Sequence, residues 1–133
     1  MTTEGVYTFT ATAQAADGHT YTDSIAITVI NKAQLDALLK AKWEGMKVAM
    51  LAGNIEGAVG YFAESSQNSF RQHFTQLYTK LSEIVADMGL LRMVRVREHF
   101  AEYDLRTTRN GTTYSFQVLF IHDLDGIWKI RSY

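Results

Sequence analysis

The chain has no cysteine and no proline, and it has almost no excess of either charge. Without cysteine it can form neither a disulfide framework nor a thiolate metal site. Without proline, its turns depend on glycine, asparagine and aspartate. The 13 basic and 14 acidic residues nearly cancel, whereas a nucleic-acid-binding domain usually gathers a basic excess on one face. We therefore expect no nucleic-acid partner.

Long apolar runs are also missing. No segment approaches the roughly 20 apolar residues that cross a bilayer, and residues 1–5 have neither the basic region nor the apolar stretch of a signal peptide. Apolar residues still make up 47% of the 133 positions, enough for one folded domain with a small appendage. We expect no membrane span and no intrinsic disorder.

The first 31 residues predict a β-hairpin. Residues 6–13 and 20–30 alternate apolar and polar side chains, which is the period of a half-buried strand. Asp17 and Gly18 between them favour a turn. One face of the hairpin carries the apolar side chains Tyr7, Phe9, Ile25, Ile27 and Val29. Because an isolated hairpin is only marginally stable in water, we expect this face to dock on the rest of the chain or on a second copy.

Three helices are predicted after the hairpin. The first follows Asn31, a suitable N-cap, and ends at Gly53. The second is short and begins at Asn54. The third opens at Ser65 or Ser66 and continues to residue 88. Its apolar positions recur at helical spacing, at Phe70, Phe74, Leu77, Tyr78, Leu81, Ile84, Val85 and Met88.

Four strands are predicted in the last part of the chain. Alternation marks them at residues 91–98, 101–106, 112–122 and 127–133. Asn110-Gly111 and Asp125-Gly126 separate the later strands as tight turns. Residues 112–122 are apolar on both faces, which predicts a central strand. Helices followed by an antiparallel meander indicate an α+β fold in which three helices pack on one face of a curved sheet.

Two segments of residues 32–133 resemble a known superfamily. Trp43-Glu44-Gly45-Met46-Lys47 and the run from Leu51 to Phe62 resemble the opening helices of nuclear transport factor 2-like, or cystatin-like, domains. The ending from Asp123 to Tyr133 resembles the last strand of that superfamily. The resemblance implies a cone-shaped domain with a ligand pocket between helices and sheet, and a homodimer formed through the sheet face.

Residues 1–31 resemble a different family. Gly5-x-Tyr7-x-Phe9 and Ile25-x-Ile27-x-Val29 look like the last two strands of a bacterial immunoglobulin-like repeat. Such repeats are usually exported, which implies a periplasmic or cell-surface location as part of a longer chain. Alternatively, the hairpin extends the sheet of the following domain, and the protein is cytoplasmic if Met1 is the natural start.

Enzymes of the nuclear transport factor 2-like superfamily place a carboxylate or a His–Asp pair inside the pocket. Alternation predicts an inward set with neither group: Val94, Val96, Ala101, Tyr103, Leu105, Trp128 and Ile130, with Met50, Tyr61 and Tyr78 from the helices. We therefore predict no catalytic residue and no cofactor. A one-residue bulge would reverse the phase and make Asp104 or His99 a candidate acid–base group.

Metal chemistry also lacks a sequence signal. The four histidines are scattered without ligand spacing, and His122 and Asp123 point to opposite faces of a strand. Asp123-Leu124-Asp125-Gly126 resembles a calcium loop only superficially, since a spaced third acid and a distal glutamate are missing. We predict a turn there and no metal site.

Aromatic side chains define the candidate pocket. Its predicted lining is Trp43, Tyr61, Tyr78, Tyr103 and Trp128. These groups offer an apolar wall with a few hydroxyls, which suits a small apolar ligand. The outward face of the sheet is predicted to carry Tyr114, Phe116, Val118 and Phe120, an apolar surface for a homodimer.

These features favour a non-enzymatic binding or assembly module, the terminal domain of a larger exported bacterial protein. The alternative is an isomerase or dehydratase of the same fold that acts on an apolar cyclic substrate. A third hypothesis is a cytosolic scaffold for partner proteins.

Overall fold

The structure, a computed structural model, describes residues 5–29 and 31–133, with side chains for residues 10–24 and 31–133. The chain forms two compact units, residues 1–35 and 36–133. It combines helices with antiparallel sheets, so the predicted α+β class is confirmed. Among the described residues, no helix is both long and apolar enough to cross a membrane.

The N-terminal hairpin is present as predicted. Strands β1 (Gly5–Gln14) and β2 (Thr20–Val29) pair antiparallel along their whole length. The backbone N–H of His19 donates to Asp17 Oδ1 at 3.0 Å, and Gly18 adopts a φ of +89°, which a residue without Cβ tolerates. The side chains of the predicted apolar face lie outside the described ones, so the covering of this face stays a prediction.

Within residues 5–29 and 31–133, four helices are present where three were predicted. They are α1 (Lys32–Leu51), α2 (Ile55–Val59), α3 (Glu64–Gln76) and α4 (Leu81–Asp87). The predicted caps of the first two are confirmed: Asn31 Oδ1 accepts the Gln34 N–H at 2.8 Å, and Asn54 Oδ1 accepts the Gly57 N–H at 2.9 Å. Gly53 closes the α1 end with a φ of +68°.

The prediction of one continuous third helix was wrong. A 3₁₀ turn, Tyr78–Lys80, separates α3 from α4. Because a 3₁₀ turn winds more tightly than an α-helix, it changes which positions share a face. Leu77 and Tyr78 are 44% and 55% exposed, although Phe74 and Leu81 on either side are buried.

The start of the third helix also differs from the prediction. Helix α3 begins at Glu64 instead of Ser65 or Ser66. The preceding residue, Ala63, donates its N–H to the carbonyl of Ile130 at 2.7 Å. This tertiary bond fixes the chain just before Glu64, so the helix begins without a serine cap.

The last four strands form one antiparallel sheet. They are β3 (Leu90–Val96), β4 (Phe100–Arg109), β5 (Thr112–His122) and β6 (Trp128–Ser132), in that spatial order. Strand β5 lies between β4 and β6, which confirms its predicted central position. Asn110 and Gly111 have φ angles of 50° and 77°, the conformation expected of a two-residue hairpin turn.

The buried face of the sheet is set by the register of β4 and β5. Tyr103 pairs with Val118 and Ala101 pairs with Phe120, and all four side chains are fully buried. Directly opposed residues of an antiparallel pair project to the same face. The prediction that Tyr114, Phe116, Val118 and Phe120 form an outward apolar surface was therefore wrong, because these side chains share the inner face with Tyr103.

Two members of the predicted inward set also lie elsewhere. Val94 is 50% exposed, because a bulge between Met93 and Arg95 shifts the register of β3. Tyr78 is carried outward by the 3₁₀ turn. Five other members are confirmed as buried, namely Met50, Ala101, Tyr103, Leu105 and Ile130, whereas Tyr61, Val96 and Trp128 are half-buried.

Candidate functional site

The five aromatic residues predicted to line a pocket do not meet in one place. Trp43 and Tyr103 belong to the core, and the Tyr103 hydroxyl donates to Asp36 Oδ1 at 2.8 Å. Tyr61 and Trp128 line a cavity of about 350 Å³ together with two lysines, Lys42 and Lys129. Tyr78 is exposed. Whether any of them binds a ligand stays a prediction.

Aromatic side chains fill the core beside Trp43. The ring of Tyr133 lies edge-on to Trp43 at 5.3 Å and stacks on Phe70 at 5.5 Å between centroids. Phe62 stacks on Phe70 at 4.0 Å and meets Phe74 at 5.8 Å. Edge-on and offset contacts of this kind stabilise a core beyond simple area burial. The space next to Trp43 is therefore occupied by side chains.

An open cavity remains on the inner face of the sheet, beside Tyr133. Its volume is about 220 Å³. We call it the β4–α4 cavity. It is lined by Ile84, Asp87, Met88, Leu105, Thr107, Arg109, Phe116 and Tyr133. Most of the lining is apolar, as is usual for small-molecule sites.

Two residues that line the β4–α4 cavity, Thr107 and Tyr133, carry hydroxyl groups without a protein partner in the part of the chain that the structure describes. Thr107 is only 6% exposed, and neither its hydroxyl nor that of Tyr133 makes a hydrogen bond within the described residues. In that part of the chain, Trp43 Nε1 is the one side-chain nitrogen or oxygen that is fully enclosed and unpaired. The Thr107 and Tyr133 hydroxyls are therefore accessible. Both residues line the β4–α4 cavity.

Burial keeps the Tyr133 hydroxyl protonated beyond its ordinary range of pH. Desolvation of the phenolate raises the pKa of Tyr133 to about 12. At neutral pH its hydroxyl is protonated and can donate a hydrogen bond into the cavity.

The two charged side chains of the cavity lining form an ion pair with each other. Arg109 Nη2 lies 2.7 Å from Asp87 Oδ2, and both side chains are about half exposed. The pair joins the end of α4 to the end of β4. The charged side chains of the lining therefore contribute no net charge to the cavity.

Gly89 allows the chain to build this cavity. A Cβ at position 89 would collide with the backbone carbonyl of Arg106 and would lie 3.4 Å from Thr107 Cα. The absence of a side chain lets the connection between α4 and β3 approach β4 closely. Asp87 and Met88 are thereby brought next to Thr107.

The outer face of the sheet is polar. Glu102 accepts hydrogen bonds from Arg95 Nε at 2.6 Å and from Gln117 Nε2 at 2.9 Å. Asp104 is bonded to Ser115 and to Arg106 Nε, the latter at 2.8 Å. Hydrogen bonds from Gln117 and Arg95 lower the pKa of Glu102, and those from Ser115 and Arg106 lower the pKa of Asp104.

The position of this network keeps Asp104 away from the inner face of the sheet. The bulge occurs in β3, whereas the alternation of β4 is unbroken, so Asp104 stays on the outer face. His99 is exposed in the turn before β4. The phase reversal that would have brought Asp104 or His99 into the pocket does not occur.

The segment 123–126 is a turn, as predicted. The Gly126 N–H donates to the Asp123 carbonyl at 2.9 Å. Lys129 Nζ lies 2.6 Å from Asp125 Oδ2 and 3.5 Å from Asp123 Oδ2, so one ammonium group pairs with both carboxylates. Across residues 5–29 and 31–133, no group of three or more metal-binding side chains is found.

Sequence reasoning missed most of the β4–α4 cavity. The pattern that placed Ala101, Tyr103 and Leu105 inward extends in phase to Thr107 and Arg109, so these two could have been found by continuing it. Asp87 and Tyr133 could not, because they reach the cavity from distant elements.

No family model, no curated protein and no solved structure matches this chain at a significant level. The function therefore has to be inferred from its own geometry.

Proposed function

We propose that this chain is a non-enzymatic binding or assembly module with a nuclear transport factor 2-like architecture, and that the β4–α4 cavity is its ligand site. The order of helices followed by a four-strand antiparallel meander supports the architecture. The observation that carries the binding role is the open, mostly apolar cavity beside Leu105 and Phe116.

The cavity supports binding more than catalysis. Its one acid, Asp87, is held by Arg109 at 2.7 Å. Along β4 the inner face presents Ala101, Tyr103, Leu105 and Thr107, none of which is a carboxylate or a histidine. A general base needs a group whose pKa suits proton transfer near neutral pH. The arrangement provides shape and apolar contact without such a group.

The size of the cavity limits the ligand. At about 220 Å³ it is smaller than the roughly 300–1,000 Å³ of sites for drug-sized molecules. A single six-membered ring or a short branched chain is the largest ligand that we expect it to enclose.

NMR with labelled methyl groups tests the binding role. We expect benzene to shift the methyl signals of Ile84, Met88 and Leu105, because these residues line the cavity. The methyl signals of Leu124 and Ile121, which do not line it, serve as internal controls and stay unchanged. Equal shifts at all five positions, or none up to the solubility of benzene, would rule out a ligand site here.

A matched pair of variants localises the effect. Phe116 and Tyr114 lie on the same face of β5 and are 45% and 46% exposed, but only Phe116 lines the cavity. Phe116→Ala removes one wall and weakens benzene binding, whereas Tyr114→Ala leaves it unchanged. Equal loss in both variants would place the binding site elsewhere on the domain.

We also propose that the module belongs to a longer exported polypeptide with immunoglobulin-like repeats, located in the periplasm or at the cell surface. The unbroken pairing of β1 with β2 supports this, since neither strand pairs with another strand among the described residues. Amide exchange of residues 10–14 checks it: protection should increase when the natural upstream sequence is attached. Unchanged protection would favour a hairpin that is complete by itself.

The homodimer through the sheet remains a prediction. The outer face is charged, with Arg95 and Arg106 about half exposed above Glu102 and Asp104. A dimer through this face would depend on charged contacts and would weaken with salt. Sedimentation equilibrium at low and high ionic strength measures this, and a monomer at low salt would contradict the dimer.

A further inference from the structure

The two unpartnered hydroxyls and the neutralised ion pair of the β4–α4 cavity restrict the chemistry of its ligand. We infer that the site binds a compact, uncharged molecule that carries one oxygen able to hydrogen-bond with Thr107 and Tyr133, such as a cyclic alcohol or ketone. This inference rests on the proposed ligand site and adds the ligand class to it.

Charge is the first restriction. The two charged residues of the lining, Asp87 and Arg109, are 2.7 Å apart. An anionic ligand near Arg109 would also lie near the Asp87 carboxylate, and a cationic ligand near Asp87 would also lie near the Arg109 guanidinium. Neither ion finds an uncompensated opposite charge in the lining, so the pair favours a neutral ligand.

Hydrogen bonding is the second restriction. The Thr107 and Tyr133 hydroxyls have no protein partner within the described residues, and an apolar ligand that displaces water from the cavity leaves them without a hydrogen bond, which is unfavourable. The Tyr133 hydroxyl stays protonated, so it donates, while the Thr107 hydroxyl either donates or accepts. A ligand oxygen placed between apolar walls satisfies both groups, which a pure hydrocarbon does not.

Four ring compounds of similar size separate the possibilities. They are cyclohexanol, cyclohexane, cyclohexanecarboxylate and cyclohexylammonium. Methyl NMR on the intact chain gives each dissociation constant. We expect cyclohexanol to bind about 2- to 10-fold more tightly than cyclohexane, the effect of about one hydrogen bond. Both ions should bind more weakly than cyclohexanol.

A pair of near-isosteric variants tests the role of the hydroxyl. Thr107→Val removes the hydroxyl that lines the cavity and keeps the shape of the side chain. Thr108→Val is the matched control, because Thr108 is the next residue of β4 and its hydroxyl faces Thr113 at 3.1 Å. Only Thr107→Val should reduce the preference for cyclohexanol over cyclohexane. Tyr133→Phe is a second variant with the same expected direction.

The outcomes distinguish the ligand class from the site itself. If cyclohexane and cyclohexanol bind the cavity equally, or Thr107→Val and Tyr133→Phe both leave the preference unchanged, the site stands and the oxygen requirement is wrong. If cyclohexanecarboxylate or cyclohexylammonium binds most tightly, the neutral class is wrong. If none of the four shifts the cavity methyls, both the inference and the proposed ligand site fail.

Discussion

At the scale of single residues, Gly89 lies closer to a neighbouring backbone than a side chain would allow. The carbonyl carbon of Arg106 would be 3.0 Å from a Cβ at this position. The neighbouring atoms belong to the backbone of a paired strand, so they cannot move aside as a flexible side chain could. The close approach of α4 to β4 depends on this contact.

We expect Gly89→Ala to reduce the free energy of unfolding by about 1–3 kcal/mol, the usual cost of overpacking. Urea denaturation measures the change. Gly60→Ala is the control, because Gly60 has a helical φ of −58° and its added Cβ would lie 3.5 Å from the nearest atoms. It should change stability by less than about 0.5 kcal/mol. Similar losses in both variants would refute the packing explanation.

Tyr103 is the second residue whose individual contacts can be tested. Its ring is fully buried between Phe120 and the helices, and its hydroxyl donates to Asp36, which also pairs with Lys40 at 3.1 Å. Burial and the nearby carboxylate raise the pKa of Tyr103, so the hydroxyl keeps its proton. The hydroxyl therefore remains a donor to Asp36 at neutral and moderately alkaline pH.

Tyr103→Phe should lower the free energy of unfolding by about 1–2 kcal/mol, because it removes one hydrogen bond to a charged acceptor. Tyr133→Phe provides the comparison, since the Tyr133 hydroxyl has no hydrogen bond within the described residues. Thermal and urea denaturation of both variants give the difference. A loss no larger in Tyr103→Phe than in Tyr133→Phe would show that the bond to Asp36 adds no stability.

At the scale of elements, helix α3 depends on a carboxylate from the far end of the chain. Asp123 Oδ2 accepts the Glu64 N–H at 3.2 Å, and Oδ1 accepts the Leu124 N–H at 2.9 Å. The first turn of a helix leaves N–H groups without partners inside the helix. Asp123 supplies one such partner, and it also ties α3 to the turn before β6.

We expect Asp123→Ala to lower the free energy of unfolding by about 0.5–2 kcal/mol, the range for loss of a helix cap. Hydrogen exchange provides the local signature, with faster exchange at Glu64 and Ser65 than in the unmodified chain. Asp17→Ala removes an equivalent contact in the N-terminal hairpin turn, where the accepted N–H belongs to His19 and not to a helix, so α3 exchange should stay unchanged. Unaltered exchange in Asp123→Ala would show that α3 does not need this cap.

At the scale of the whole molecule, several surface carboxylates accept hydrogen bonds, and the pKa of each is lowered. Hydrogen bonds lower the pKa values of Glu56, Glu102, Asp104, Asp123 and Asp125 below the ordinary values of 3.8 for aspartate and 4.5 for glutamate. A group with a lower pKa in the folded state binds fewer protons there than in the unfolded chain. Its stabilising effect is complete above the unfolded pKa.

Stability should therefore be constant from pH 7 to about pH 5 and fall as the pH drops below about 4.5, when the unfolded chain takes up these protons. Urea midpoints measured between pH 7 and pH 2.5 test this. Replacing Asp104 with asparagine should make the fall less steep, because one of the shifted groups no longer titrates. A midpoint that rises on acidification would contradict the assignment.

The α+β class, the hairpin and the order of the sheet could be predicted because each depends on local alternation and turn residues. The pocket could not. The aromatic residues predicted to line it lie apart in the structure, with Trp43 in the core and Tyr78 at the surface. The spacing of side chains along the chain does not show which distant element covers which face. The β4–α4 cavity depends on where α4 ends relative to β4.

The sequence by itself determined the features that only near neighbours control. Asn31 and Asn54 cap helices, and Asn110 with Gly111 turns a hairpin, because the interacting atoms are a few residues apart. Only the tertiary structure decided the break after Leu77, the inward face of β5 and the cavity beside Thr107. Those features depend on strand register and on packing between distant segments, which a local pattern does not contain.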